Sequence, residues 1–248
     1  MITTILNCYR RPTYLYSQIE AILNQTVGDS EIWVWRNYHE DFDDKFNWEE
    51  FKHYCKDKNV KLFDTNHNWK YCGRFAAACL VDTEYTAIFD DDTIPGNRWF
   101  ENCISTLQTH RGILGGVGVI LQQDNSYLPN QRIGWSTNNE QVAEVDLVGH
   151  SWFYPSEFNK YIWMEKPMWE NGEDMHFSAM AQIYGDIKTY VPAQPSSDSS
   201  LSSSLHGMAF GMDAVASSHQ RNHERFYTER TNCVKKLINR GWNLMKDR

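Results

Sequence analysis

The sequence predicts an α/β fold: a single domain with a mostly parallel central sheet flanked by helices, followed by a C-terminal helical extension. Three observations carry this reading. Short β-branched apolar runs alternate with segments whose apolar residues recur at helical spacing. The runs are too apolar to leave one face of a sheet wet, as expected where helices cover both sides. A chain of 248 residues is long enough for one α/β domain with a large core.

Ile2 to Cys8 reads as the first strand, broken by Arg10, Arg11 and Pro12 before a helix that carries Leu15, Ile19, Ile22 and Leu23 on one side. Ile32 to Arg36 is a second strand. A helix starting near Asn47 buries Trp48, Phe51 and Tyr54, and Val60 to Phe63 forms a third strand. A helix over about Lys70 to Leu80 leads into a strand over Glu84 to Asp90. Ligands of such sheets bind beyond the carboxyl ends of the strands, where Asn7 to Arg11, Asn37 and the cluster Asp90, Asp91 and Asp92 all fall.

After a helix over Asn97 to Thr109 comes GILGGVGVIL, whose glycines do not fit a dinucleotide fingerprint and read as a strand packed closely on a neighbour. The second half is looser. It holds a strand near Val142 to Val148, a short aromatic helix ending about Trp163, and a helix with Met175, Ala179 and Ile183 on one face and Glu173 and Asp174 in its first turn. A strand over Ile187 to Val191 precedes Ala193 to Ser204, a Ser-rich stretch that reads as unable to pack a core, either a linker or a mobile lid. The domain is accordingly expected over 1–212, in two halves over 1–110 and 111–192 with a flexible lid over 193–212; the extension is 213–248. On it, His219 and His223 stand four apart, but Gln220, Arg221, Asn222 and Glu224 mark a solvated face.

Composition narrows the function. The net charge is −8, which argues against a nucleic-acid partner, because such binding needs a basic surface. An anionic small substrate then requires a bridging metal or local arginines. No apolar run is long enough for a transmembrane helix, and MITTILNCYRRP enters a strand pattern at once, so no signal peptide is expected. The six cysteines form no CxxC pair and read as core residues of a protein in a reducing cytoplasm.

The chemistry concentrates in EYTAIFDDDTIPGNRWF, where an apolar run ends in three aspartates. Like charges so close raise one another's pKa unless a cation or water relieves them. Either the acids cap the following helix, or they hold a metal.

TILNCYRRP, NHNWKYCGRFAAA, IFDDDTIPG, VDLVGHSWF and NGEDMHFSAMAQIYGDIKTYVP together resemble the landmarks of GT-A glycosyltransferases, particularly small viral and microbial members near family 2 and the exostosin-like family 64. The similarity runs from about Ile2 to Pro192. It implies a transferase that moves a sugar from a UDP- or GDP-linked donor to an acceptor hydroxyl of a glycan, with a nucleotide-sugar-binding half over 1–110 and an acceptor-binding half over 111–192. It also implies a DxD motif in which Asp90 and Asp92 engage Mn2+ or Mg2+, with Asp91 an ambiguous neighbour. Asn7, Arg10, Arg11, Asn37 and Arg74 become candidates for the donor side, arginine being suited to phosphate. Asp174 matches the acid of the family's ED motif as general base of an inverting transfer, with Glu173 the alternative. His150, Trp152 and Phe153 match the acceptor wall, and His206 stands where many members supply a third metal ligand. A retaining transferase, a metal-dependent phosphodiesterase or nuclease, and a non-catalytic carbohydrate-binding protein are the competing readings.

Overall fold

The computed structural model describes residues 1–40, 45–135, 138–168, 171–211 and 223–248. Its strands are β1 (Ile2–Cys8), β2 (Ser30–Arg36), β3 (Lys61–Asp64), β4 (Tyr85–Phe89), β5 (Gly112–Leu121), β6 (Asn130–Gly134), β7 (Ala143–Val145), β8 (Leu147–Pro155) and β9 (Lys188–Val191). The main helices are α1 (Leu15–Leu23), α2 (Trp48–Asp57), α3 (Gly73–Ala78), α4 (Trp99–Thr109), α5 (Glu173–Gly185) and α6 (His223–Asn239).

One sheet orders the strands β3-β2-β1-β4-β8-β5-β9-β7, with β6 attached to β5. The first four are parallel, as their alternation with helices requires. Beyond β4 the sheet is mixed: β8 runs antiparallel to both β4 and β5, whereas β9 is parallel to β5. β1 is buried at every position because both faces are covered. On one face Leu15 and Ile19 of α1, Phe51 of α2 and Phe100 of α4 pack with Phe153 of β8. On the other, Phe75 of α3 and Phe177 of α5 pack with Trp152.

Local signals explain several boundaries. Asn47 caps α2 by accepting from the Glu50 amide at 3.1 Å. The helix expected over Lys70 to Leu80 is a 3₁₀ turn over Lys70–Cys72 followed by the short α3. The strand expected over Val142 to Val148 is interrupted at Asp146, which is buried and accepts backbone N–H groups of Leu121 and Met245, each at 2.7 Å. β8 then takes up GHSWFYP, extended except at His150, whose φ is 63°.

GILGGVGVIL forms β5, with the close approach its glycines suggest. A Cβ on Gly115 would lie 2.3 Å from the Val148 Cβ, and one on Gly116 2.5 Å from the Ser203 hydroxyl. Five of the six cysteines are buried and none is in a disulfide.

One expectation needs correction. Ala193 to Ser204 does not stand off as a lid but is threaded against the body. Gln194 and Ser203 are buried, Gln194 Nε2 donates to the Gly116 carbonyl at 2.9 Å, and the Gly96 and Arg98 amides donate to the Ser202 and Ser200 carbonyls. Its serines satisfy backbone groups: Ser203 Oγ donates to the Gly116 carbonyl and Ser202 Oγ to the Ser204 carbonyl. The C-terminal helical extension packs on the body of the domain. Cys233, Val234 and Leu237 of α6, with Trp242 and Leu244, share a core cluster with Met175, Ala179 and Met180 of α5.

Leu237 is 2% exposed in that cluster. Leu237→Ala is expected to destabilise the whole domain by about 2–5 kcal/mol in urea unfolding; an unchanged midpoint would show that α6 lies outside the cooperative core.

Candidate active site

The site is built where β4 stops. Because β8 runs antiparallel to β4, with Phe89 opposite Ser151, the next pair outward is Asp90 and His150, and the Asp90 amide donates to the His150 carbonyl at 2.9 Å. Gln18 of α1 donates to the Asp90 and Thr93 carbonyls at 2.8 and 2.9 Å, fixing the turn through the acidic triplet. One donor atom from each of Asp90, Asp92 and His150 lies within 4.8 Å of the others. Among the described residues this is the one group of three or more potential ligands so arranged.

Electrostatics separate the three aspartates. Burial pushes Asp90 up to about 6 against the pull of Arg74. Asp91 is also raised, by burial and then by Asp92, while Arg11 opposes the shift. Asp92 is lowered: burial disfavours its charge, but the attraction of His150 and Arg11 outweighs it. His150 Nδ1 stands 3.9 Å from Asp92 Oδ1, too far for a hydrogen bond, and is buried with no hydrogen-bond partner.

Buried arginines hold the carboxylates from behind. Arg11 pairs with Asp91 at 2.8 Å and approaches Asp92 at 3.6 Å. Arg74, 3% exposed, bridges Asp90 at 2.6 Å and Glu173 at 2.9 Å and lies over the Trp152 ring at 4.9 Å. Burial, then the neighbouring Asp174, pushes Glu173 up to about 7. Arg230 of α6 reaches Asp174 at 2.6 Å, donates to Asn171 and stacks over Tyr127 at 4.3 Å. The other Asp174 oxygen accepts the Met175 amide at 2.8 Å. In front of Asp174 the strand carries Gly149, where an added Cβ would meet only its carboxylate, 3.8 Å away.

The residues expected from the sequence separate accordingly. Asp90, Asp91, Asp92, Arg10, Arg11, Arg74, Glu173 and Asp174 converge, Arg10 through its amide on Asp91 at 3.0 Å. Arg74 is not on the open face, because both of its ion pairs are internal and it is almost fully covered. Asn7 is buried at the end of β1. Asn37 is buried and engaged by the loop after β3, donating to Asn68 at 3.0 Å and accepting from the Trp69 amide at 2.7 Å. Trp152 and Phe153 do not form a sugar platform. They are 1% and 0% exposed and point to opposite covered faces of the sheet. His206 is exposed, stacks on Phe210 with centroids 4.3 Å apart, and is not in the Asp90, Asp92 and His150 group. His219 lies outside the described residues, as does the side chain of His223.

One participant was expected in another role and one escaped the sequence reading. His150 belongs with the aspartates rather than with an aromatic wall, which only the β4–β8 register reveals. Arg230 shows a single cue in sequence, a basic residue on an amphipathic helix, which does not distinguish it from a surface charge.

A sequence model of the family described as Glycosyl transferase family 2 matches residues 3–180. No curated protein sequence matches the chain. Among solved structures, S. aureus TarS 1-349 in complex with UDP-GlcNAc aligns over 96% of this chain and 72% of its own, at 13% identity and TM-score 0.56. S. aureus TarS 1-349 aligns at 15% identity and TM-score 0.55, over 78% of this chain but only 60% of its own. GalNAc-T7 with UDP, GalNAc and Mn2+ aligns at 13% identity and TM-score 0.60, over 77% of this chain and 42% of its own. At these identities the likeness is one of fold.

Glu173 yields a prediction with a definite sign. Its ordinary value is 4.5, and in the fold it stands near 7. Between those values the folded state keeps a proton that the unfolded chain has released. The stabilisation is therefore full below about pH 4.5 and is lost as pH rises through about 7. Glu173→Gln is expected to flatten the pH dependence of urea unfolding across that window; parallel curves for variant and wild type would contradict the assignment.

Proposed function

Because the chain belongs to Glycosyl transferase family 2, we propose that this site transfers a glycosyl group from a UDP- or GDP-linked sugar to a hydroxyl of a glycan acceptor, with inversion. The observation that carries the reading is the grouping of Asp90, Asp92 and His150 beside the partly open carboxylate of Asp174. The UDP-GlcNAc complex of TarS and the UDP, GalNAc and Mn2+ complex of GalNAc-T7 support the donor class and a divalent metal.

The residues present fit Mn2+ or Mg2+. Two carboxylates and one imidazole are a suitable donor set, and a buried imidazole nitrogen without a partner is what a ligand looks like before coordination. Asp90, Asp92 and His150 would hold the ion. When bound, it supplies Lewis-acid neutralisation of the charge developing on the departing nucleoside diphosphate.

The chain's own groups do the remaining work. Arg74 holds Asp90 in place against the repulsion of its neighbours, and Arg11 does the same for Asp91 and Asp92. Asp174, partly exposed beside Gly149, accepts the proton of the acceptor hydroxyl as that oxygen attacks the sugar carbon opposite the diphosphate. Arg230 and the Met175 amide fix which way that carboxylate faces. Glu173, set back beneath Arg74, is less accessible for the same task. A hexosyl donor is favoured by the sugars in the two neighbouring complexes.

The test is a panel of UDP-GlcNAc, UDP-GalNAc, UDP-glucose and GDP-mannose in thermal-shift and turnover assays with and without Mn2+. Asp92→Ala is expected to abolish the Mn2+-dependent shift. Asp174→Asn should keep the shift and lower turnover by about 10²–10⁴-fold, with the product anomer opposite to the donor's by NMR. Metal-independent shifts in wild type, or full turnover by Asp174→Asn, would overturn the respective assignment.

A further inference from the structure

Trp135 lies just beyond β6, far in sequence from the acids, yet its indole covers the His150 imidazole with centroids 4.5 Å apart and planes inclined by 29°. The chain reaches this position through an unusual backbone. Gly134 has φ 80° and Trp135 φ 58°, while His150 itself has φ 63°. For bulky side chains the left-handed region is disfavoured, and it persists where surroundings over-determine it. Here the surroundings are the two rings against each other. Gly134 is forced by the turn, since a Cβ there would lie 2.5 Å from the Gly116 carbonyl oxygen.

The other members of the Asp90, Asp92 and His150 group are held by conventional partners. Asp90 has Arg74, and Asp92 has Arg11 and a Thr93 hydroxyl at 3.2 Å. His150 Nδ1 has no hydrogen-bond partner, so it is not a hydrogen bond at that atom that turns the ring toward Asp92. An imidazole rotates about two side-chain bonds, and a flat apolar wall at stacking distance restricts both.

We propose that Trp135 is a positioning residue of the cation site: by stacking on His150 it fixes the imidazole with Nδ1 facing Asp92, although it contributes no donor atom itself. The inference rests on the cation reading given above. It makes the end of β6 part of the site and gives the chain a built-in aromatic neighbour of the ion.

Mn2+ alone, titrated calorimetrically into the full chain, tests this without substrate. Trp135→Ala is expected to weaken Mn2+ binding about 10–100-fold, the range found when groups that orient metal ligands are removed. Trp135→Phe, which keeps a ring to stack, should retain wild-type affinity, a rescue that a general loss of stability would not produce. If Trp135→Ala binds like wild type while His150→Ala does not, the cation site stands and this inference falls. If His150→Ala also binds like wild type, or wild type takes up no Mn2+, His150 is not a ligand and both readings fall. A measurement on the unaltered fold guards against a misfolded variant. In wild type labelled with 5-fluorotryptophan, the ¹⁹F resonance identified by its loss in Trp135→Phe should broaden at substoichiometric Mn2+. A resonance that stays sharp while Mn2+ binds would overturn the proposal.

Discussion

Five carboxylates converge where β4 ends, and keeping them together is the constraint on which the surrounding structure depends. Asp90, Asp91, Asp92, Glu173 and Asp174 are held, among the described residues, by ion pairs to three guanidinium groups, those of Arg11, Arg74 and Arg230. Even with His150, whose pKa is raised against the effect of burial by Asp92, counted as a fourth positive charge, one negative charge of this group is left unmatched. Buried charges without compensation are costly, and a group relieves the cost by shifting its pKa and taking up a proton. The upward displacement of Asp90 to about 6 and of Glu173 to about 7 is that relief. A divalent cation between Asp90, Asp92 and His150 would supply the missing charge and displace protons in doing so.

The fold serves this constraint from several directions. α1 fixes the acidic turn through Gln18, α3 carries Arg74 beneath it, and the loop after β1 brings Arg11 alongside. The antiparallel insertion of β8 sets His150 opposite Asp90 and leaves Gly149 in front of Asp174. α6 closes the far side, its apolar face in the α5 cluster and its Arg230 on Asp174. Removing one partner of a buried pair exposes the other to an unpaired, desolvated charge. The architecture of the site and the stability of the core are therefore linked through the same side chains.

Much of this was legible in the sequence. The parallel half of the sheet, the Asn47 cap, the close-packed glycines of β5 and the acidic triplet at a strand end follow from local pattern and chemistry. The match of residues 3–180 bears out the resemblance at the level of the family. What pattern does not encode is long-range register. Trp152 and Phe153 look like a platform in one dimension, but adjacent residues of a strand face opposite sides, and here both sides are core. His150 is sixty positions from Asp90 in sequence, so its place beside Asp90 depends on β8 pairing with β4. Low apolar content in Ala193 to Ser204 suggested mobility, yet its hydroxyls and the Gln194 amide satisfy backbone groups that no local rule brings near.

The central claim is that the Asp90, Asp92 and His150 group takes a divalent cation to complete the charge balance. The most direct measurement is a crystal structure grown with Mn2+ and UDP, with anomalous data collected at the manganese edge. The account predicts one anomalous peak bounded by a carboxylate oxygen of Asp90, a carboxylate oxygen of Asp92 and Nδ1 of His150. A peak against Glu173 and Asp174 instead, or UDP bound in full with no peak at the end of β4, would contradict it.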